Sequence, residues 1–470
     1  MTPNDICFLS VTQISERIRK KELSPVEIVA AYLARIEAIE PVLNSFITRL
    51  SDHAITAAKK AEQEILEGRY RGPLHGIPFA LKDLYSTQGI RTTSGSKIFN
   101  DFVPDIDSTV GARLQQAGAI LLGKLNMHPL AYGPTGENGD YGSMHNPWDP
   151  RLIAGGSSGG SGSAVASGEC AFSMGSDTGG SIRIPSALCG LVGLKPTYGR
   201  LSRYGLTPLS WSQDHSGPMA RTVRDCGLIM NATAGVDPRD PTSLPAPVPD
   251  YTRRLTEGIQ GLRVGIIKEF MNGPLDPGVK SGVEKAIRRL EELGTVLTEV
   301  SWPMVRYSMA IASIIQMSEA TAYHRKLIQT RGPEIYAPVR VRLEAGMFIP
   351  ATDYVQALRA RTLFDRQSLD LFRNVDVLVS PTLPVAAFEI GLSKVKVGEA
   401  MVGVISLLTQ FTRPFNLNGF PAITVPCGFT EEGLPMGLHL AGKPLEEEIL
   451  LRVAHAYEQA TEWHRRRPPI

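Results

Sequence analysis

GSDTGGSIRIPSALCGLVGLKPT, residues 175–197, places Ser181 directly behind Asp177-Thr178-Gly179-Gly180. In a turn this rich in glycine, successive backbone N–H groups can point into one concavity, which builds an oxyanion hole without side chains. Thr178, Gly179, Gly180 and Ser181 are therefore the candidate oxyanion donors, and Ser181 the candidate nucleophile. Gly179-Gly180-Ser181-Ile182-Arg183 lacks the G-x-S-x-G spacing of a nucleophile elbow. The stretch contains no base, and the histidines flanking it in sequence are His145 and His215. A Ser/His/Asp arrangement stays open only if His128, His145 or His215 approaches in space.

Two upstream stretches carry the same kind of signal. GIPFALKD, residues 76–83, ends an apolar, strand-like run on Lys82. A lone lysine at a strand end ordinarily reaches water, but the preceding IPFAL run can hold this one in a poorly solvated place. AGGSSGGSGSAVASG, residues 154–168, packs four glycines and three serines into positions 155–161. It has no GK[ST] and no GxGxxG fingerprint, so it is not a phosphate cradle. So much glycine points to close backbone approach or positive φ rather than to an ordinary flexible turn.

Outward from these motifs the chain reads as α/β. Ser24-Pro25-Val26-Glu27 is a capping box with proline at the first helical position. Residues 262–268 read as a strand, Val283, Ala286, Ile287 and Leu290 as the inner face of a helix ended by Gly294, and 295–300 as the next strand. Further strands are expected at 375–380, 422–426 and 436–441, with a closing helix at 446–463. A large central sheet follows. Residues 235–250 carry five prolines; strands on both sides favour one domain with an excursion over two lobes.

Composition narrows the partners. With 470 residues, 43% hydrophobic, and a net charge of +2, the chain has a core-forming composition and none of the basic excess a phosphate backbone requires. No nucleic acid is expected. MTPNDICFLS is no leader and no long apolar run occurs, so no membrane association and a cytoplasmic location are expected. Cys7, Cys170, Cys189, Cys226 and Cys427 lack any CxxC spacing and read as buried apolar residues. No cofactor and no metal are expected.

Together these residues resemble the amidase signature hydrolases. Lys82, the GGSSGGS loop and DTGGSIRIPSALCGLVGLKPT reproduce that family's motifs in order, with 75 positions from Lys82 to Ser157 and 24 from Ser157 to Ser181. The resemblance extends to NPWDP (146–150), VLVSPTLP (377–384) and FNLNGFPAITVPCG (415–428), and thins out between about 300 and 375. It implies a single domain over 1–470, with a core at about 76–200 and a large mixed sheet covered by helices on both faces. It also implies a Ser–cisSer–Lys triad. Ser181 would attack, Ser157, after a cis Gly156–Ser157 bond, would relay the proton, and Lys82 would receive it. Lys82 must then be neutral, although an unperturbed lysine titrates at about 10.4, so burial has to supply the shift. Ser158, Asp177 and Arg183 would brace the loops.

Within the resemblance two functional classes compete, beside a non-catalytic scaffold that the intact triad disfavours. One is a freestanding hydrolase of small amides through an acyl-enzyme. The other is the glutamine-hydrolysing A subunit of a tRNA-dependent amidotransferase. Asn126-Met127-His128-Pro129-Leu130 stands where that protein usually has Asn-Met-Asp-Glu-Phe. The missing acidic pair favours the hydrolase, with a small-molecule amide as its only partner and a monomeric or homodimeric state. WPMVRYSMAIASIIQM (302–317) and RLEAGMFIP (342–350) suggest an apolar or aromatic acyl group rather than a small dianion, in an aryl or alkyl amide, an ester or a carbamate.

Overall fold

Ser24 begins the helix Pro25–Leu43 as read from sequence: its hydroxyl accepts the Glu27 N–H while Glu27 accepts the Ser24 N–H at 2.8 Å. The computed structural model describes residues 2–470. Its centre is an eleven-stranded sheet. In spatial order the strands are Phe46–Arg49, Ile120–Leu125, Pro78–Lys82, Phe172–Asp177, His215–Ala220, Val192–Lys195, Ala422–Phe429, Pro435–Ala441, Val377–Pro381, Arg263–Ile267 and Val296–Val300. Apart from the antiparallel edge pair of Phe46–Arg49 with Ile120–Leu125, parallel pairs lie towards each end and antiparallel pairs through the middle, so the sheet is mixed, and helices flank it.

The apolar runs explain the central strands. Pro78–Lys82, Ile120–Leu125, Phe172–Asp177 and Pro435–Ala441 are buried at every residue, as strands covered on both faces must be. The expected unit at 262–300 is present: Arg263–Ile267 and Val296–Val300 are parallel, and the helix Pro277–Glu292 between them buries Val283, Ala286, Ile287 and Leu290. The closing helix is shorter than expected, Glu447–Gln459, because the chain leaves the helix before a short turn at Trp463–Arg465. The proline-rich stretch 235–250 lies between two strands of the same sheet, His215–Ala220 and Arg263–Ile267. All five cysteines are buried and unpaired. No helix among the described residues is long and apolar enough to cross a membrane.

The glycine-rich loop leads into the helix Gly159–Ala166, buried at every residue. Its small side chains let backbone meet backbone: a Cβ at Gly160 would come 2.5 Å from the Asn126 carbonyl oxygen. This packing sets residues 155–158 against the ends of the strands that carry Lys82 and Asp177.

Residues 302–371 form three helices, Val305–Arg331, Ala337–Ala345 and Ala351–Leu371. Trp302, Ile311, Ile315 and Phe364 pack with Phe411 and Phe415 in a second core cluster. The apolar residues of this region thus serve mainly to anchor it to the sheet.

Candidate active site

Lys82 ends its strand wholly buried beside the parallel neighbour Phe172–Asp177. Its Nζ lies 2.7 Å from Ser157 Oγ and 2.9 Å from Ser176 Oγ. Burial pushes the amine down to about 7, against the charges of Asp177 and Asp214, which act to raise it. Water cannot solvate the ammonium here, and two hydroxyls replace it poorly. Ser157 is fully buried, follows a cis peptide bond after Gly156, and its carbonyl accepts the His128 N–H at 3.0 Å. Ser158 donates to the Ser176 carbonyl at 3.2 Å, tying the glycine-rich loop to the strand that ends at Asp177.

Ser181 stands beyond that strand, 8% exposed, on the wall of a cavity of about 240 Å³. Asp177 shapes the turn before it. Its carboxylate accepts the N–H of Gly180 at 2.8 Å and of Ile182 at 3.1 Å, and takes Nε and Nη2 of Arg183 at 3.0 Å each. Asn416 Nδ2 adds a bond at 2.8 Å. Burial alone would raise the Asp177 carboxyl, but Arg183 and the other partners hold it well below the usual carboxylate range. The Gly180 N–H is therefore committed to Asp177. Those of Thr178, Gly179 and Ser181 have no hydrogen-bond partner among the described residues.

Among the described residues no histidine side chain hydrogen-bonds Lys82, Ser157 or Ser181; His439 Nε2 meets Arg183 Nη1 at 3.0 Å. His215 Nδ1 meets the Gln213 carbonyl at 2.7 Å, and His145 Nδ1 meets the Pro150 carbonyl at 2.6 Å. His128 is buried, burial pushes it down to about 3, and neither ring nitrogen has a partner.

Several cavity residues escaped the sequence reading. Ser176, Lys82's second partner, sits inside the 175–197 stretch, but only strand pairing brings it to Lys82. Met309, Ser313, Gln316 and Met317 reach the cavity from one stripe of the helix Val305–Arg331, while Ile311 and Ile315 face the core. Arg342 and Arg413 line the same cavity. The stretches 302–317 and 342–350, expected to wall an acyl site, both contribute to this cavity, through Met309, Ser313, Gln316, Met317 and Arg342, while Ile311 and Ile315 turn inward. Arg342 begins RLEAGMFIP, and Arg413 precedes FNLNGFPAITVPCG by two residues. A second cavity, about 350 Å³, shares Ala131, Thr178 and Leu209 with the first and reaches Ser176 and Asp214.

The model of the family described as Amidase matches residues 27–451. The chain belongs to the Amidase family. It is 44% identical to the A subunit of the glutamyl-tRNA(Gln) amidotransferase of Chloroflexus aurantiacus over 99% of both chains. Among solved structures it resembles one from a vestigial protein complex that bears on the origins of an s-triazine catabolic enzyme (TM-score 0.93, 34% identical, covering 96% of this chain and 98% of that one). It also resembles the glutamyl-tRNA(Gln) amidotransferase A subunit of Thermotoga maritima (TM-score 0.79, 31% identical, covering 98% and 94%).

These relatives correct two expectations. The missing acidic pair at 126–130 favours a self-sufficient hydrolase of small amides, yet near-full-length identity to amidotransferase A subunits outweighs one short motif. With it fall the expectations of a small molecule as sole partner, of no nucleic acid, and of a monomer or homodimer, since such relatives are named as subunits of a glutamyl-tRNA(Gln) amidotransferase. The net charge of one chain does not report on a phosphate-binding surface carried elsewhere in an assembly such as those relatives are named for.

Proposed function

We propose that the chain is the amide-hydrolysing A subunit of a tRNA-dependent amidotransferase, releasing ammonia from a glutamine-type donor for a partner protein. The observation that carries this is the 44% identity along 99% of both chains to a protein of that name. The site's geometry supports the chemistry. Ser181 Oγ attacks the amide carbon and its proton moves to Ser157 Oγ, whose own proton moves to neutral Lys82 Nζ, 2.7 Å away. The tetrahedral oxyanion forms against the unpartnered N–H groups of the Thr178–Ser181 turn, each such donor contributing about a hundred- to a thousandfold in rate. Collapse expels the amine as its proton returns through Ser157, and ammonia leaves by the second cavity past Ser176. Water then cleaves the acyl–Ser181 ester. No cofactor enters these steps.

The test is to isolate the chain from its native host under mild conditions and measure ammonia release from glutamine, with and without glutamate-charged tRNA. Co-purifying subunits and stimulation by the charged tRNA are expected. A chain that purifies alone and shows no response to tRNA would overturn the reading.

A further inference from the structure

Beneath the turn that carries Ser181, the donors of the Arg183 guanidinium each have a place. Nε and Nη2 donate to Asp177 at 3.0 Å each, Nη2 also donates to Asn416 Oδ1 at 2.8 Å, and Nη1 donates to His439 Nε2 at 3.0 Å. Nη1 has no other acceptor among the described residues. His439 comes from the strand Pro435–Ala441, 256 positions from Arg183, and is 1% exposed. It lies between Ser380 and Thr424 of the two neighbouring strands, and its ring meets the Phe415 ring edge to face with centroids 5.1 Å apart. A guanidinium carries no acceptor, so the contact exists only while Nε2 is unprotonated and the ring proton sits on Nδ1, which faces Ser380 Oγ at 3.5 Å. Burial, followed by the charge of Arg183, pushes the imidazole well below its ordinary range, with Lys195 adding to the effect and Asp177 opposing it. None of Asp177, Arg183, Asn416 and His439 lines the cavity in front of Ser181.

A buried guanidinium keeps its plane only while all its N–H groups are held, since a buried donor without a partner draws the head towards any acceptor in reach. Asp177 feels any such tilt. Its carboxylate accepts from Arg183 and from the N–H groups of Gly180 and Ile182 at once, so a shift of Arg183 passes into the turn whose Thr178, Gly179 and Ser181 N–H groups face the forming oxyanion. We propose that His439 is a positioning residue of the Ser181 centre, an acceptor on a distant strand that fixes Arg183 and, through it, Asp177 and the oxyanion turn. It acts on rate and not on binding, because it touches neither the cavity nor the triad. This rests on the reading that Ser181 is the nucleophile, which labelling of the unsubstituted chain reports separately.

The experiment follows inactivation of the full chain by a fluorophosphonate over a range of reagent concentrations, which separates the maximal labelling rate at Ser181 from the affinity for the reagent. The unsubstituted chain is compared with His439→Gln, His439→Leu and His439→Asn. A glutamine places an amide oxygen where Nε2 stands and can accept from Arg183, a leucine fills the space without an acceptor, and an asparagine is too short to reach. His439→Leu and His439→Asn should lower the maximal rate by about tenfold or more with affinity changed by less than about twofold, and His439→Gln should stay within about threefold of the unsubstituted chain. Melting curves show which variants are folded at the assay temperature. The proposal is overturned if a folded His439→Leu or His439→Asn labels at the unsubstituted rate, if His439→Gln is as slow as His439→Leu, or if affinity is lost instead of rate. It also falls if neither His439→Leu nor His439→Asn folds, since His439 would then serve folding alone. An unsubstituted chain that is not labelled at Ser181 removes the nucleophile and the proposal together, whereas a labelled chain with indifferent variants removes only His439.

Discussion

Lys82 Nζ sits 2.7 Å from Ser157 Oγ with no carboxylate in hydrogen-bond contact, so the lysine that faces the serines is held by hydroxyls alone. The neighbouring Lys124, buried as deeply, has Asp83 at 3.3 Å. Burial lowers both amines, but at Lys124 a carboxylate opposes the loss of hydration, whereas Lys82 has only hydroxyls in contact.

The first prediction is a pH profile. Activity should rise along one ionisation near pH 7, where burial has placed Lys82, and stay level into the alkaline range. Lys82→Met should lower kcat by several orders of magnitude and leave no such limb in the residual rate.

The same shift predicts a stability signature. With its folded-state value below the unfolded one, Lys82 binds fewer protons in the native chain between about pH 7 and the free-lysine value of about 10.4. Its contribution to stability therefore rises with pH across that window, and the penalty is complete below it. Lys82→Met, which never pays the penalty, should be at its most stable relative to wild type at about pH 6–7 in denaturant melts, and the difference should shrink by about pH 10.

Ser181 should be the site of covalent labelling. A fluorophosphonate should add its mass to a peptide containing Ser181, and labelling should vanish in Ser181→Ala. Ser157→Ala should still present the nucleophile but slow its labelling by two or more orders of magnitude. Undiminished labelling of Ser181→Ala would move the nucleophile elsewhere.

Asp177→Asn should hurt stability and rate together. The carboxylate is fully buried, pairs with Arg183 through both oxygens and holds the N–H groups of Gly180 and Ile182. Its loss leaves a buried guanidinium uncompensated, at a cost of about 3–5 kcal/mol, and loosens the turn that aims the oxyanion donors. Urea unfolding and kcat should both fall. An unchanged midpoint would show that Arg183 finds another partner.

Gly180→Ala should disturb the same turn from its backbone side. Gly180 has φ +127, and a Cβ there would sit 2.8 Å from Ile184 Cδ1 and press on Thr412. The turn must shift, so kcat should fall by about a hundredfold or more, the worth of one oxyanion donor, while ammonia-releasing activity shows no rescue at any pH.

What was legible in the sequence was whatever depends on local residue chemistry. The Ser24 capping box, the strands and helix of 262–300, and the mostly apolar runs at 78–82 and 436–441 each declare themselves in a short window. Lys82 and Ser181 stand out because a lysine ends an apolar run and a serine follows a glycine-rich turn, while Ser157, Ser158, Asp177 and Arg183 are named through the family resemblance. The expected helix end at 463 failed because the apolar periodicity continued after the helix hydrogen bonds had stopped.

By itself, then, the sequence determined the motifs, the α/β alternation and the family resemblance. Only the tertiary structure decided what surrounds them. Ser176 meets Lys82 because two strands far apart in sequence pair in parallel, and the Lys82 amine is pushed down to about 7 because the packed sheet keeps water away. Arg342 and Arg413 reach the cavity from separate helical segments whose apolar sides look the same in sequence whether they face a core or a substrate. Periodicity reports which face of a helix is buried, but not what buries it, so the charge of the acyl site became visible only once the helices had docked.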